Sequence, residues 1–189
     1  MIRLARGPVV VREWREDDAE PLAVQANDAR VARNLRDVFP HPYGLEDARR
    51  FLALARACLP PRLFAIEADG RVAGGIGFIP QTDVERIGAE VGYWLGPSYW
   101  GRGLATAALE ALTGYAFAAD PELRRLFALP FATNRASARV LEKAGYTLEG
   151  TLRQSAIKDG RVVDQWVYAI LRDEWAARPS RLAPTVPRA

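Results

Sequence analysis

The segment Glu90-Val91-Gly92-Tyr93-Trp94-Leu95-Gly96-Pro97-Ser98-Tyr99-Trp100-Gly101-Arg102-Gly103-Leu104-Ala105-Thr106 restricts this chain more than any other. Its first half alternates like a strand, and an apolar helical period begins at Leu104. Gly96-Pro97 ends the strand, and Gly101 and Gly103 interrupt the turn that follows. Glycine lets the backbone take positive φ there and approach a ligand with no Cβ in the way. The helix entered from that turn presents its first unpaired N–H groups and its positive dipole end at the same spot. The sequence therefore predicts a cradle for a pyrophosphate whose donors are mainly backbone. The plainer alternative is a tight strand-to-helix turn with no ligand.

Two familiar phosphate fingerprints do not fit. A dinucleotide turn needs a third glycine where Thr106 stands, and an acidic residue about 20 positions on at a strand end. The P-loop needs a Gly-Lys-Ser/Thr that does not follow here.

Elsewhere the chain punctuates itself clearly. Val9 to Arg12 reads as a first strand after Pro8, and Asp17-Asp18 as the cap of a helix running through Leu22 and Val24. Residues 28–43 are irregular and end in the aromatic, proline-rich Phe39-Pro40-His41-Pro42-Tyr43. A helix over 44–57 places Ala48, Phe51, Leu52 and Ala55 on one face and stops at Pro60-Pro61. Strands are expected over 62–68, 71–79 and 85–95, the first two joined by Asp69-Gly70. Then come a helix over 104–118, a strand over 125–129, a helix over 136–143 closed by Gly145, and a hairpin of 146–155 and 162–171 around Asp159-Gly160. A strand meander feeding helix-linked strands argues for a mixed α/β sheet, not a doubly wound parallel one.

At this point the residues resemble a known family. Trp100-Gly101-Arg102-Gly103-Leu104-Ala105 is similar to the acetyl-CoA loop of the GNAT N-acetyltransferases, Gln/Arg-x-x-Gly-x-Gly/Ala. Gly103 and Ala105 match that pattern, and Trp100 replaces the usual Gln/Arg. That replacement, after Gly92-Tyr93-Trp94-Leu95, resembles the RimJ/RimL-like branch of ribosomal-protein N-terminal acetyltransferases. The likeness recurs at Val11 to Asp18, Asn134-Arg135-Ala136-Ser137, Leu141 to Tyr146 and Glu149-Gly150, spanning residues 8 to 175 in the family's order.

The resemblance implies one GNAT domain over residues 1–176, a mixed α+β fold whose central splayed sheet is flanked by helices. A Pro/Arg-rich tail over 177–189 follows it, expected to be flexible. The implied cosubstrate is acetyl-CoA, without a metal. Its contacts would come from Trp94, Leu95, Trp100, Gly101, Arg102, Gly103, Leu104, Ala105, Thr106, Asn134 and Ser137. The implied reaction is direct attack of a primary amine on the thioester, with a protein N-terminal α-amine as the favoured acceptor. A small-molecule amine (aminoglycoside, polyamine or amino acid) and a non-catalytic acyl-CoA-binding module are the alternatives. Homodimers are common in the family.

Such a reaction needs no enzyme nucleophile, because the thioester carries its own leaving group. The protein holds amine and carbonyl together, accepts a proton and stabilises an oxyanion. In the family the backbone around Tyr93 to Leu95 lies along the pantetheine and supplies an oxyanion donor. Alternation puts Ile87, Ala89, Val91, Tyr93 and Leu95 on one face of the strand, and Gly88, Glu90, Gly92 and Trp94 on the other. Glu90, between two glycines, is the candidate base; an exposed strand residue or ion-pair partner is the alternative. Asn134 caps a helix or, by resemblance, also contacts the pantetheine amides. Many family members carry a general-acid Tyr where this chain has Leu141, which leaves Ser137 to handle the thiolate. His41, between two prolines, reads as a surface residue. Trp14, Phe39, Tyr43 and Trp94 are candidate walls of the amine pocket, although aromatics are more often core.

Composition narrows the class. With 189 residues and 49% hydrophobic content the chain has room for one well-cored domain. No apolar run reaches about 18 residues, so a soluble cytoplasmic protein without membrane contact is expected. The one cysteine, Cys58, cannot form an internal disulfide, and one Cys with one His does not make a Cys/His metal site. The net charge of +3 is spread along the chain. It suits an acidic partner or CoA phosphates, or simply solvated arginines. No nucleic-acid motif is present.

Overall fold

The β-branched run after Pro8 forms β2 (Val9–Glu13), which sends Val9 and Val11 into the core. A computed structural model, describing residues 2–178, pairs β2 on one side with β1 (Arg3–Arg6). The sequence reading missed β1, whose Arg-Leu-Ala-Arg offers one buried side chain, Leu4. Arg12 points to the opposite face of β2 and is itself buried. Its guanidinium forks onto Asp18 at 2.7 and 2.9 Å and reaches Glu67 at 2.6 Å. Asp18 therefore does not cap α1 (Ala19–Ala26) with its side chain; it accepts from Arg12 and from the Arg15 N–H. A buried guanidinium needs that pairing more than a helix end needs a cap.

Two further helices follow. The short α2 (Ala29–Ala32) interrupts the segment expected to be irregular, and α3 (Leu45–Ala57) buries Ala48, Leu52 and Ala55. β3 (Leu63–Ala68) and β4 (Arg71–Pro80) form a hairpin through Asp69 and Gly70, at φ of 53° and 72°. That is the left-handed pair an Asp-Gly turn supplies. β5 (Gly88–Leu95) starts later than expected, because Asp83–Glu85 forms a 3-10 turn and leaves Ile87 exposed before the strand. α4 (Leu104–Ala119), β6 (Arg125–Ala128), α5 (Arg135–Lys143), β7 (Thr147–Lys158), β8 (Arg161–Leu171) and α6 (Arg172–Ala176) follow within the described residues. Of the expected tail only residues 177 and 178 are described; the rest lies outside the described residues.

The eight strands among the described residues make one sheet in the order β1-β2-β3-β4-β5-β6-β8-β7. All neighbours are antiparallel except β5 and β6, so the sheet is mixed, as expected. Helices cover both faces. α1 and α3 pack on one, over Trp14, Ala65 and Val72. α4 and α5 pack on the other, over Val9, Phe64, Ile66 and Val91. α4 buries Leu104, Leu109, Leu112 and Phe117, each contributing roughly 1.5–3 kcal/mol by leaving water.

One local departure positions the site. β5 pairs with β4 from Ala89 to Leu95 but with β6 only at Gly88, Ala89 and Glu90. Beyond Glu90 the parallel strands part, and a gap opens in the middle of the sheet.

Candidate active site

Antiparallel alternation decides which backbone groups face that gap. The Gly96 N–H bonds to Ala73 and the Gly88 carbonyl accepts from Gln81, so the even residues of β5 turn their backbone toward β4. Val91, Tyr93 and Leu95 turn theirs toward the opening. The Leu95 carbonyl is taken there by the Trp100 indole N–H at 2.8 Å. A cleft of about 670 Å³ runs through the gap, with Gly101, Leu104, Asn134 and Ser137 on one side and Arg36, Phe39, Glu90 and Trp94 on the other.

The first side is built from backbone. Gly101 and Gly103 sit at φ of 74° and 75°, and a Cβ on either would meet nothing within 4 Å. Glycine is thus required by conformation, and the space above the loop stays open to a ligand. Gly103 is the N-cap of α4 and offers no side chain to the helix end. The N–H groups of Leu104, Ala105 and Thr106 therefore have no partner within the helix, and negative charge is favoured in front of them. These features fit the pyrophosphate of acetyl-CoA. Of the expected contacts, Trp94, Leu95, Trp100, Gly101, Gly103, Leu104, Ala105, Asn134 and Ser137 line the cleft. Arg102 and Thr106 are not among its lining residues. Arg102 instead pairs with Asp69 of the β3–β4 turn at 2.7 Å.

Across the gap, α5 brings its first turn to β5. Asn134 Oδ1 caps the helix by accepting the Ser137 N–H at 3.1 Å. The Tyr93 hydroxyl lies 2.9 Å from Ser137 Oγ and 3.2 Å from the Ser137 carbonyl oxygen. Burial pushes the Tyr93 phenol well above its ordinary range, and the bond with Ser137 pulls it partly back. It stays protonated and able to donate. Leu141, at the position of the family's usual tyrosine, is fully buried in the core. Sequence reading noted that absence but did not find Tyr93. Only tertiary packing shows that a residue 44 positions from Ser137 meets it.

The second side of the cleft is a trough in the sheet. Facing pairs on β4 and β5 are Ile79 with Glu90, Gly77 with Gly92, and Gly75 with Trp94. A Cβ at Gly92 would meet nothing within 4 Å, so the floor there is open. A Cβ at Gly75 would lie 3.0 Å from Trp94 Nε1 and 3.3 Å from the Trp14 ring; glycine lets both indoles close on the strand. Phe39 stacks edge-on to Trp94 at 5.5 Å and against Tyr43 at 4.9 Å. Of the four candidate wall aromatics, Phe39 and Trp94 line the cleft, whereas Trp14 and Tyr43 are buried and do not. His41 is exposed and does not line the cleft.

Glu90 is three-quarters buried or more, with a side-chain exposure of 20%, and its carboxylate accepts from Arg36 Nη2 at 2.5 Å. Both of its expected surroundings are therefore present: space beside a glycine and an ion-pair partner. Arg36 belongs to a strap, residues 33–39, tied at its next residue by Lys158 Nζ to Asp37 Oδ1 at 2.6 Å. No sequence signal marked Arg36, since the strap carries no periodic pattern. Among the described residues no group of three or more His, Cys, Asp or Glu could hold a metal ion, and no helix is long and apolar enough to cross a membrane.

A mixed sheet split at its centre, with a glycine cradle on one side of the gap and a carboxylate trough on the other, is the architecture of an acyl-CoA-dependent acyltransferase. The chain belongs to the acetyltransferase (GNAT) domain family, which matches residues 9–147, and to its RimJ/RimL-like branch. This places it among acetyl-CoA-dependent acetyltransferases. It is 37% identical over 167 residues to the uncharacterized N-acetyltransferase YoaA of Bacillus subtilis, covering 87% of this chain and 93% of that one. It is 32% identical over 112 residues to the ribosomal-protein-serine acetyltransferase of Escherichia coli, covering 59% of this chain and 62% of that protein. Among solved structures, Mycobacterium smegmatis RimJ in complex with a CoA disulfide superposes with a TM-score of 0.79 at 27% identity. That likeness covers 92% of this chain and 86% of the RimJ chain.

Proposed function

We propose that this acetyltransferase moves the acetyl group of acetyl-CoA to a protein N-terminal α-amine, with Glu90 as the proton acceptor. The observation that carries this reading is the position of Glu90: one carboxylate on the open glycine floor of the trough, just where β5 leaves β6. Acetyl-CoA supplies a thioester carbonyl and a thiolate leaving group. The Gly101–Gly103 turn and the first N–H groups of α4 hold its pyrophosphate, and the gap-facing backbone of Tyr93 and Leu95 accommodates its pantetheine. A neutral amine entering over Gly92 hands its proton to a Glu90 oxygen as the new N–C bond forms and the C–S bond breaks. Ser137 Oγ, held by the Tyr93 hydroxyl, donates a hydrogen bond to the departing thiolate, which takes its proton from solvent while Glu90 returns the amine's proton there. The N–H groups of Tyr93 and Leu95, turned into the gap, are the candidate donors to the carbonyl oxygen. An α-amine at a chain end suits this trough because the amine reaches a floor without side chains while the chain behind it leaves along the strap.

Glu90→Gln tests the assignment. Removal of a positioned base is expected to lower turnover by about 10²- to 10⁴-fold. Acetyl-CoA affinity, set on the other side of the gap, stays at the wild-type value. Undiminished turnover in a well-folded Glu90→Gln protein removes Glu90 as base.

A further inference from the structure

Charge is distributed unevenly in the cleft. Among its described lining residues Glu90 is the one carboxylate, against the cations Arg30, Arg36, Arg139 and Lys143. Arg139 and Lys143 lie on α5, on the cofactor side, where phosphates would meet them. Arg30 is already forked onto Asp28, at 3.0 and 2.7 Å, and lies over the Trp100 ring. Arg36 is different, because among the described residues its ion-pair partner is the proposed base.

An ammonium or amine approaching Glu90 arrives where the Arg36 guanidinium now sits. The side chain of Arg36 is free to yield, being 57% exposed, while its backbone is held at the mouth by the adjoining Asp37–Lys158 pair. A guanidinium stays charged at any working pH. Once displaced it stands beside the bound amine, and the described lining residues include no second carboxylate to receive it. Asp37, the nearest acid along the strap, is occupied by Lys158. A second positive charge on the acceptor would therefore face an unpaired cation, and a negative charge behind the amine would gain a partner able to bind it in a fork.

Resting on the reading of Glu90 as the amine's proton acceptor, we propose that Arg36 determines acceptor specificity. It favours a single α-amine followed within one or two residues by carboxylates, and it rejects polycationic amines. In the resting enzyme it occupies the place of the acceptor's charge; in the acceptor complex it reads the charge that comes after.

The test compares three synthetic peptides with free N-termini, Ala-Asp-Asp-Gly-Tyr, Ala-Ser-Ser-Gly-Tyr and Ala-Lys-Lys-Gly-Tyr, and spermidine. Wild type is expected to favour the acidic over the basic peptide in kcat/KM by about tenfold or more, with spermidine poorest. Arg36→Ala should shrink that ratio to within about threefold and Arg36→Glu should invert it, with acetyl-CoA affinity unchanged in both. Equal or reversed ranking in wild type, or an unchanged ranking in Arg36→Glu, overturns the proposal. Calorimetric binding of the same peptides to the CoA-loaded protein reads the ranking without turnover. Undiminished turnover in Glu90→Gln would remove the base assignment, whereas a binding ranking that ignores charge, or no peptide binding at all, would overturn the role of Arg36.

Discussion

The two sides of the cleft are made of different material. On the cofactor side the ligand-facing groups are backbone N–H groups, two left-handed glycines in the tight turn before α4 and a capped helix start. On the acceptor side they are side chains, Arg36, Phe39, Glu90 and Trp94, and half of these come from an irregular strap. A phosphate is a fixed chemical object, so a fixed backbone geometry suffices to hold it. An acceptor is whatever must be told apart from its competitors. The groups that do so are side chains on a segment that can change without disturbing the sheet.

If the two sides are separable, substitutions should act on one and spare the other. Among variants that leave Glu90 in place, the largest effect is expected at Gly92. A Cβ there would meet no heavy atom within 4 Å, so Gly92→Val is expected to keep the fold while filling the acceptor floor. Displacing the amine by an ångström or more should lower kcat/KM for the acceptor by about a hundredfold, with acetyl-CoA affinity unchanged. Steady-state kinetics beside a cofactor titration would show it, and a parallel loss of cofactor binding would break the division. Tyr93→Phe should be milder. It removes the hydroxyl bonded to Ser137 and lowers kcat by about tenfold, with a stability loss of about 1 kcal/mol. A Tyr93→Phe enzyme with unaltered kcat would reduce that bond to packing.

The smallest effect concerns stability and involves both sides. Burial raises the phenol of Tyr43, behind the acceptor wall, to about 12, and raises those of Tyr93 and Tyr146 further. Above pH 10 the unfolded chain releases these protons while the native state keeps them. The unfolded state then binds fewer protons, and stability falls as pH rises; below pH 10 the contribution is fully present. Thermal melts from pH 8 to 11 should show this decline, shallower in Tyr146→Phe. A flat profile would contradict the buried, protonated phenols.

Legibility in the sequence followed the same division. The mixed sheet, the helix faces of α3 and α4, both Asp-Gly hairpins and the glycine loop were readable, because each depends on local periodicity or on a φ that only certain residues adopt. β1 was not, since Arg3–Arg6 buries one residue and is a strand only because β2 lies beside it. Asp18 was recognised but misassigned, because Arg12, six residues away, becomes its partner only once the sheet forms. Within the site, Glu90 and Trp94 were placed on their shared face by alternation. The Tyr93–Ser137 and Arg36–Glu90 pairs bring together residues 44 and 54 positions apart, and no local pattern encodes such meetings.

The most direct test of this account is calorimetric titration of acetyl-CoA into wild type, Gly103→Asp and Gly92→Val, with NADH as a control ligand. Wild type and Gly92→Val are expected to bind acetyl-CoA alike and to ignore NADH. Gly103→Asp should lose binding by about a hundredfold, since it forces a side chain to positive φ and sets a carboxylate against the phosphates. Failure of well-folded wild type to bind acetyl-CoA, or equal binding by Gly103→Asp, would contradict the cradle on which the whole site is built.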